Sequence, residues 1–118
     1  MNIEQLRKYC LSFPHATEDV KWGNDLCFCV GAKMFCVTGL DGSGHLSFKT
    51  TPEKFAELTE RDGVIPAPYV ARYHWVAVEN KDAIDKAELK ELIASSYQLV
   101  FGKLPLKVRT ALESVART

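Results

Sequence analysis

Hydrophobic positions at the start of the chain recur at helical spacing. Ile3, Leu6, Cys10 and Phe13 fall on one stripe that stops at Pro14. Asn2 precedes the stripe and Gln5 follows three residues later, the arrangement of a reciprocal helix cap, so a first helix is expected from Asn2. Val20-Lys21-Trp22 then reads as a short strand turned by Gly23-Asn24-Asp25. From Leu26 the period is two. Leu26, Phe28 and Val30 alternate with Cys27 and Cys29; Phe35 and Val37 alternate with Met34, Cys36 and Thr38; Leu46 and Phe48 alternate with His45, Ser47 and Lys49. Gly31-Ala32 and Asp41-Gly42-Ser43-Gly44 separate the runs, which predicts a three-strand antiparallel meander.

A two-residue loop at Gly31-Ala32 sets Phe28 opposite Phe35 and Cys27 opposite Cys36, and the next turn sets Val37 opposite Phe48. Every large apolar residue of the meander then shares one face, as a half-buried sheet requires. The other face carries Cys27, Cys29, Met34, Cys36, Thr38, Ser47 and Lys49. That face is weakly polar rather than densely charged, which implies either a covering element or a binding role.

Further along, Thr51-Pro52 opens a second helix with Phe55, Ala56 and Leu58, running to Asp62-Gly63. Val64 to Tyr69 contains Pro66 and Pro68 and reads as an extended connector. Tyr73 to Val78 is rich in aromatic and β-branched residues and reads as a strand. Asp85 and Glu88 cap a long helix carrying Leu89, Leu92, Ile93, Ser96, Leu99 and Val100 to Gly102; Pro105 starts a last helix with Val108, Leu112 and Val115. Helices segregated from antiparallel strands define an α+β class, with a sheet meander packed on helices.

The 118 residues are expected to form a single domain, 1–118, since the pattern shows no linker or repeat. Lys plus Arg and Asp plus Glu both number 15, so the formal net charge is zero. Binding to nucleic acid or membrane by bulk charge is thereby disfavoured, and any basic face must be local and balanced by acid elsewhere. No apolar run approaches the roughly 20 residues of a membrane span, and residues 1–5 lack a signal-peptide pattern, so a cytoplasmic protein without membrane contact is expected. In that compartment Cys10, Cys27, Cys29 and Cys36 are expected as free thiols. With Cys27 facing Cys36, Cys29 beside them and His15 or His45 as a fourth ligand, zinc is conceivable. Cys-x-Cys on extended strands is nevertheless not a zinc knuckle, and no metal or other cofactor is expected.

No catalytic constellation emerges. His15, His45 and His74 are scattered, Ser95-Ser96 has no nucleophile elbow, and the glycines near Gly42 lead into neither a phosphate loop nor a helix. An enzyme is not expected. Trp22, Tyr69, Tyr73, Trp75 and Tyr97 are the aromatics able to stack on a ligand; Trp75 and Tyr97 are expected in core or core-edge packing, whereas Trp22 has exposed-looking neighbours.

Phe13-Pro14, Trp22-Gly23, Phe28, Gly31-Ala32-Lys33-Met34-Phe35, Leu46-Ser47-Phe48-Lys49, Pro66-Ala67-Pro68-Tyr69, Trp75, Ser96-Tyr97-Gln98-Leu99-Val100 and Lys103-Leu104-Pro105 together resemble the MmcQ/YjbR family of small bacterial proteins, in order and spacing over nearly the whole chain. The resemblance implies a two-layer sandwich similar to bacterial frataxin (CyaY-like) and a DNA-binding role of the proposed "double wing" type. Frataxin-like iron handling would need an acidic ridge on the first helix, where Glu4 is accompanied by Arg7 and Lys8. A DNA-binding role would use Lys21, Lys33, Lys49, Arg72, Lys103 and Lys107, with Arg109, to hold phosphates near the hairpins. The alternative is a non-enzymatic protein-interaction module that uses the weakly polar sheet face.

Overall fold

The computed structural model describes residues 1–41, 45–68 and 70–116. The expected turn residues Gly42-Ser43-Gly44 and the aromatic Tyr69 lie outside them. Helix α1 (Ile3–Leu11) leads to strands β1 (Thr17–Lys21), β2 (Asp25–Val30), β3 (Lys33–Gly39) and β4 (Leu46–Lys49). Helix α2 (Pro52–Leu58), β5 (Val64–Pro66), a 3-10 turn (Ala71–Tyr73) and β6 (Trp75–Val78) follow. A second 3-10 turn (Lys81–Ala83), α3 (Lys86–Gly102) and α4 (Leu106–Ala116) complete the chain. The strands form one antiparallel sheet in the order β1-β2-β3-β4-β6-β5.

Local chemistry accounts for the helix starts. Asn2 and Gln5 make the reciprocal cap of α1, Thr51 and Asp85 accept backbone N–H bonds at the starts of α2 and α3, and Pro52 occupies the first turn of α2. Three boundaries differ from the sequence reading. The strand expected from Tyr73 begins at Trp75, with Tyr73 in a 3-10 turn and His74 in a left-handed conformation before it. Strand β1 covers Thr17–Lys21, and Trp22 lies in the turn with φ 54°. Helix α2 stops at Leu58 rather than Asp62-Gly63, because Thr59 closes it by donating its hydroxyl to the Phe55 carbonyl at 2.8 Å. The proline-containing connector supplies a three-residue edge strand, where a missing N–H does least harm.

The register is the main correction. The Gly31-Ala32 turn is as expected: both residues have positive φ, and Val30 pairs with Lys33 and Cys29 with Met34. A β-bulge follows. Phe35 is the extra residue, so Phe28 pairs with Cys36 and Cys27 with Val37, not with Phe35 and Cys36. Downstream, Cys36 pairs with Phe48 and Val37 with Ser47. The bulge lets Phe35 and Cys36, consecutive residues, both enter the core while Val37 moves to the outer face.

Ser96 holds the bulge. Gly39 N–H bonds the His45 carbonyl at 3.4 Å, so alternate residues Val37 and Phe35 also sit at hydrogen-bonding positions against β4. At the last of these the ladder is bridged by a side chain. The buried Ser96 hydroxyl donates to the Phe35 carbonyl at 2.6 Å and accepts from the Lys49 N–H at 3.0 Å. One α3 side chain therefore ties β3 to β4.

The helices cover one face of the sheet. Leu6, Cys10, Phe28, Phe35, Cys36, Phe48, Val76, Ile93 and Tyr97 belong to this core. Phe13 stacks on Tyr97 at 4.8 Å and meets Phe35 edge-on at 5.9 Å, while the Tyr97 hydroxyl donates to the Pro14 carbonyl at 2.7 Å. Gly31 suits its positive φ of 56° and leaves room for Leu104 and Val108, which lie 2.7 and 3.3 Å from where a Cβ would stand.

Phe28 is fully buried, and Phe28→Ala should lower stability by roughly 3–5 kcal/mol. Ser96→Ala should cost roughly 1–3 kcal/mol although it removes one oxygen, because it strips the hydrogen-bond partner from two backbone groups. Urea denaturation of the two variants checks both; a Ser96→Ala midpoint equal to wild type would contradict the bridging role.

Candidate functional site

The outer sheet face is covered by the chain between β5 and β6, not by a helix. Cys27, Cys29, Val37, Ala67, Trp75 and Ala77 form a second buried cluster there, with Met34, Ile65 and Val70 packed against it. The expected grouping of Cys27, Cys29 and Cys36 is therefore broken: Cys36 lies across the sheet with Cys10. All four cysteines are buried and free, and among the described residues no group of three or more His, Cys, Asp and Glu is arranged to hold a metal. Burial pushes the Cys27 thiol up to about 11, with the neighbouring Cys29 adding to it, and raises Cys29 as well.

Beside this cluster a groove of about 540 Å³ opens, lined by Trp22, Asp25, Met34, Val37, His45, Ser47, Ala67, Pro68, Val70 and Trp75. Trp75 is buried, as expected of a core-edge aromatic, but it packs on the outer face. Trp22 is 72% exposed on the rim, held by a backbone with positive φ that bulky residues rarely adopt. Asp25 and His45 lie 3.9 Å apart at one end of the groove.

Antiparallel topology sorts the charges. The start of β3, the end of β4 and the start of β6 share one end of the sheet, and Leu104 and Val108 sit over the Gly31 turn there. Lys33, Lys49, Arg72, Lys103 and Lys107 collect at this end, with Glu53 in the first turn of α2. The opposite end holds Asp25, Asp41, Asp62, Glu79, Asp82 and Asp85 against Lys21 and Lys86, with Arg61 and Glu88 ion-paired to each other. A net charge of zero thus conceals two ends of opposite sign.

Tyr73, 49% exposed, is the centre of the basic end. The Arg72 guanidinium lies 4.9 Å and the Lys49 ammonium 5.8 Å from its ring centre, and Lys49 also donates to the Tyr73 carbonyl at 3.1 Å. Burial lowers the Lys49 pKa, and the adjacent Lys103 ammonium lowers it further. None of Lys49, Arg72 or Lys103 has a carboxylate ion-pair partner among the described residues, whereas Arg7 and Arg61 are both paired.

Of the seven lysines and arginines singled out in the sequence, Lys49, Arg72 and Lys103 converge, and Lys33 and Lys107 share their end. Lys21 does not: it pairs in register with Asp25 at the acidic end and neighbours Asp19. Arg109 has its Nε buried, turned from solvent. Among the described connections, the β2–β3 turn and the β5–β6 connection that carries Arg72 lie at the basic end, and the β1–β2 turn lies at the other. Tyr73 as the centre of the cluster had no signal beyond its aromatic ring and the preceding Arg72.

A two-layer sandwich with the described helices on one sheet face, an outer groove and a basic end defines a small α+β domain. The chain belongs to the YjbR family, whose model matches residues 11–99. It is 27% identical to "Uncharacterized protein YjbR" of Escherichia coli K12 over 116 residues, covering 95% of this chain and 98% of that protein. Among solved structures it resembles Deinococcus radiodurans protein DR2400, assigned to domain DUF419, with TM-score 0.85 and 28% identity over 95% of this chain and 88% of that one. A Pseudomonas syringae protein shares the fold at TM-score 0.69 and 22% identity, over 85% of this chain and 99% of that one. No described helix is long and apolar enough to cross a membrane.

The Cys27 thiol sets a pH dependence. Its folded pKa of about 11 stands above its ordinary 9.0, so its contribution to stability is complete below about pH 9 and is lost as pH rises towards 11. Urea midpoints of wild type and Cys27→Ala should run parallel below pH 9. Between 9 and 11 wild type should fall more steeply; parallel curves throughout would contradict the shift.

Proposed function

We propose that this protein is a non-enzymatic DNA-binding protein that grips phosphates with the basic end of its sheet. The observation that carries the reading is the cluster of Lys49, Arg72 and Lys103, none of them ion-paired to a carboxylate among the described residues. Two ammonium groups pushed together, one partly desolvated, gain most from an anion that neutralises both. Lys33 at the β2–β3 turn and Lys107 on α4 extend the same surface. Lysine and arginine contacts of this kind go to the backbone and carry little sequence information.

The acidic end has a role in this reading. It orients the molecule in the field of the polyanion, basic end first, without the non-specific adhesion of a uniformly cationic protein. A second reading is favoured by Val20, Trp22 and Leu40, large apolar residues exposed near the β1–β2 turn, where Leu40 N–H bonds the Asn24 carbonyl at 2.7 Å. These would suit a protein partner.

Fluorescence anisotropy with a labelled duplex tests the first reading. About three phosphate contacts imply a loss of about forty-fold in affinity between 50 and 200 mM salt. Lys49→Glu with Lys103→Glu should weaken binding at least about ten-fold on every sequence, and Lys21→Glu should leave it unchanged. Absence of binding by wild type at 50 mM salt removes the DNA reading and leaves the protein-partner one.

A further inference from the structure

The groove on the outer sheet face and the basic cluster are adjacent. Lys49 and Trp75 are direct partners across β4 and β6, and residues directly opposite in an antiparallel pair project to the same face. Trp75 lines the groove, so Lys49 flanks that end of it on β4, and the Lys49 ammonium and Arg72 guanidinium meet at Tyr73, two residues before Trp75. The far end carries Asp25 and His45, with Trp22 in the adjoining β1–β2 turn. Between the two ends Val37 and Trp75 supply apolar surface on the sheet, with Ser47 directly opposite Val37.

We infer that the groove receives an unpaired nucleobase of a single-stranded nucleic acid whose phosphates lie on Lys49, Arg72 and Lys103. The inference rests on the phosphate-binding reading of the basic end and extends it to the form of nucleic acid bound. The size fits, since about 540 Å³ lies within the range of pockets that hold small planar molecules. Charge complementarity gives the direction of entry. An anionic group belongs at the cationic mouth, and an edge rich in N–H donors belongs at the Asp25 carboxylate. Cytosine, adenine and guanine present an amino group there; thymine does not. Trp22 supplies the stacking surface, being exposed and fixed in a left-handed backbone conformation that the turn would otherwise avoid. A paired duplex cannot deliver a base into the groove without opening.

The chain's two tryptophans both line the groove, so their fluorescence reports its occupancy. Four probes of equal length are titrated at low salt: oligo-dC, oligo-dT, an abasic single strand and a duplex. Oligo-dC is expected to bind about ten-fold more tightly than the abasic strand, the loss of one base-stacking contact, and to quench the tryptophans. Oligo-dT should bind less tightly than oligo-dC. Trp22→Ala should bring oligo-dC down to the abasic strand while leaving duplex affinity unchanged, since exposed Trp22 supports no core. Equal binding of oligo-dC, abasic strand and duplex with unaltered tryptophan emission overturns the groove inference and leaves phosphate binding standing. Equal affinity for oligo-dC and oligo-dT overturns the assignment of Asp25 to the base edge. Absence of binding by every probe overturns both the inference and the reading beneath it.

Discussion

One hydroxyl group decides how the two faces of the sheet are occupied. Ser96 bridges the Phe35 carbonyl and the Lys49 N–H at the point where β3 bulges away from a regular ladder. With the bulge in place, Phe35 reaches Phe13 and Tyr97 in the helix-side core, and Cys36 joins it. Val37 is released to the outer face, where it lines the groove with Trp75. The same bridge fixes the end of β4, and with it Lys49, against the helix whose C-terminus carries Lys103. Core, groove and basic cluster therefore share a single anchoring point, itself fully buried and shielded from competing water.

Charge follows from the same topology. In an antiparallel sheet, strand starts and ends alternate along each edge, so a lysine at the start of β3 and one at the end of β4 become neighbours despite their separation in sequence. Helices α1 and α3 both begin at the acidic end and finish at the basic one, and their acidic first turns reinforce the division. Composition averages this away. A balance of 15 basic and 15 acidic residues is equally compatible with scattered charge, and only the fold separates the two signs.

Most of the architecture was legible because the periodicities were unambiguous. The Asn2–Gln5 cap, the alternation from Leu26 to Lys49 and the α3 stripe each have one satisfactory reading, and the structure contains all three elements. The bulge was not legible. Phe35-Cys36-Val37 offers three consecutive apolar side chains, so a register shift of one residue costs no hydrophobic burial that the pattern could register. Its cause, a serine 61 positions away, is a tertiary contact. The candidate basic residues were legible as types but not as a group. Lys21 and Lys49 look alike in sequence; one ends beside Asp25 and Asp19, the other beside Lys103. Trp22 was legible as exposed from its polar neighbours, whereas the groove it borders needs Ala67, Pro68 and Val70 folded back over the sheet.

In the proposed function, the basic end of the sheet is where nucleic-acid phosphates are held. Backbone amide chemical shifts of the isotope-labelled protein, followed by NMR as a single-stranded oligonucleotide is added at low salt, test it residue by residue. The account predicts progressive shifts at Lys33, Lys49, Arg72, Tyr73 and Lys103 that reverse on adding salt, with Glu79, Asp82 and Asp85 unmoved. Shifts centred on the acidic end, or none at any residue, would contradict it.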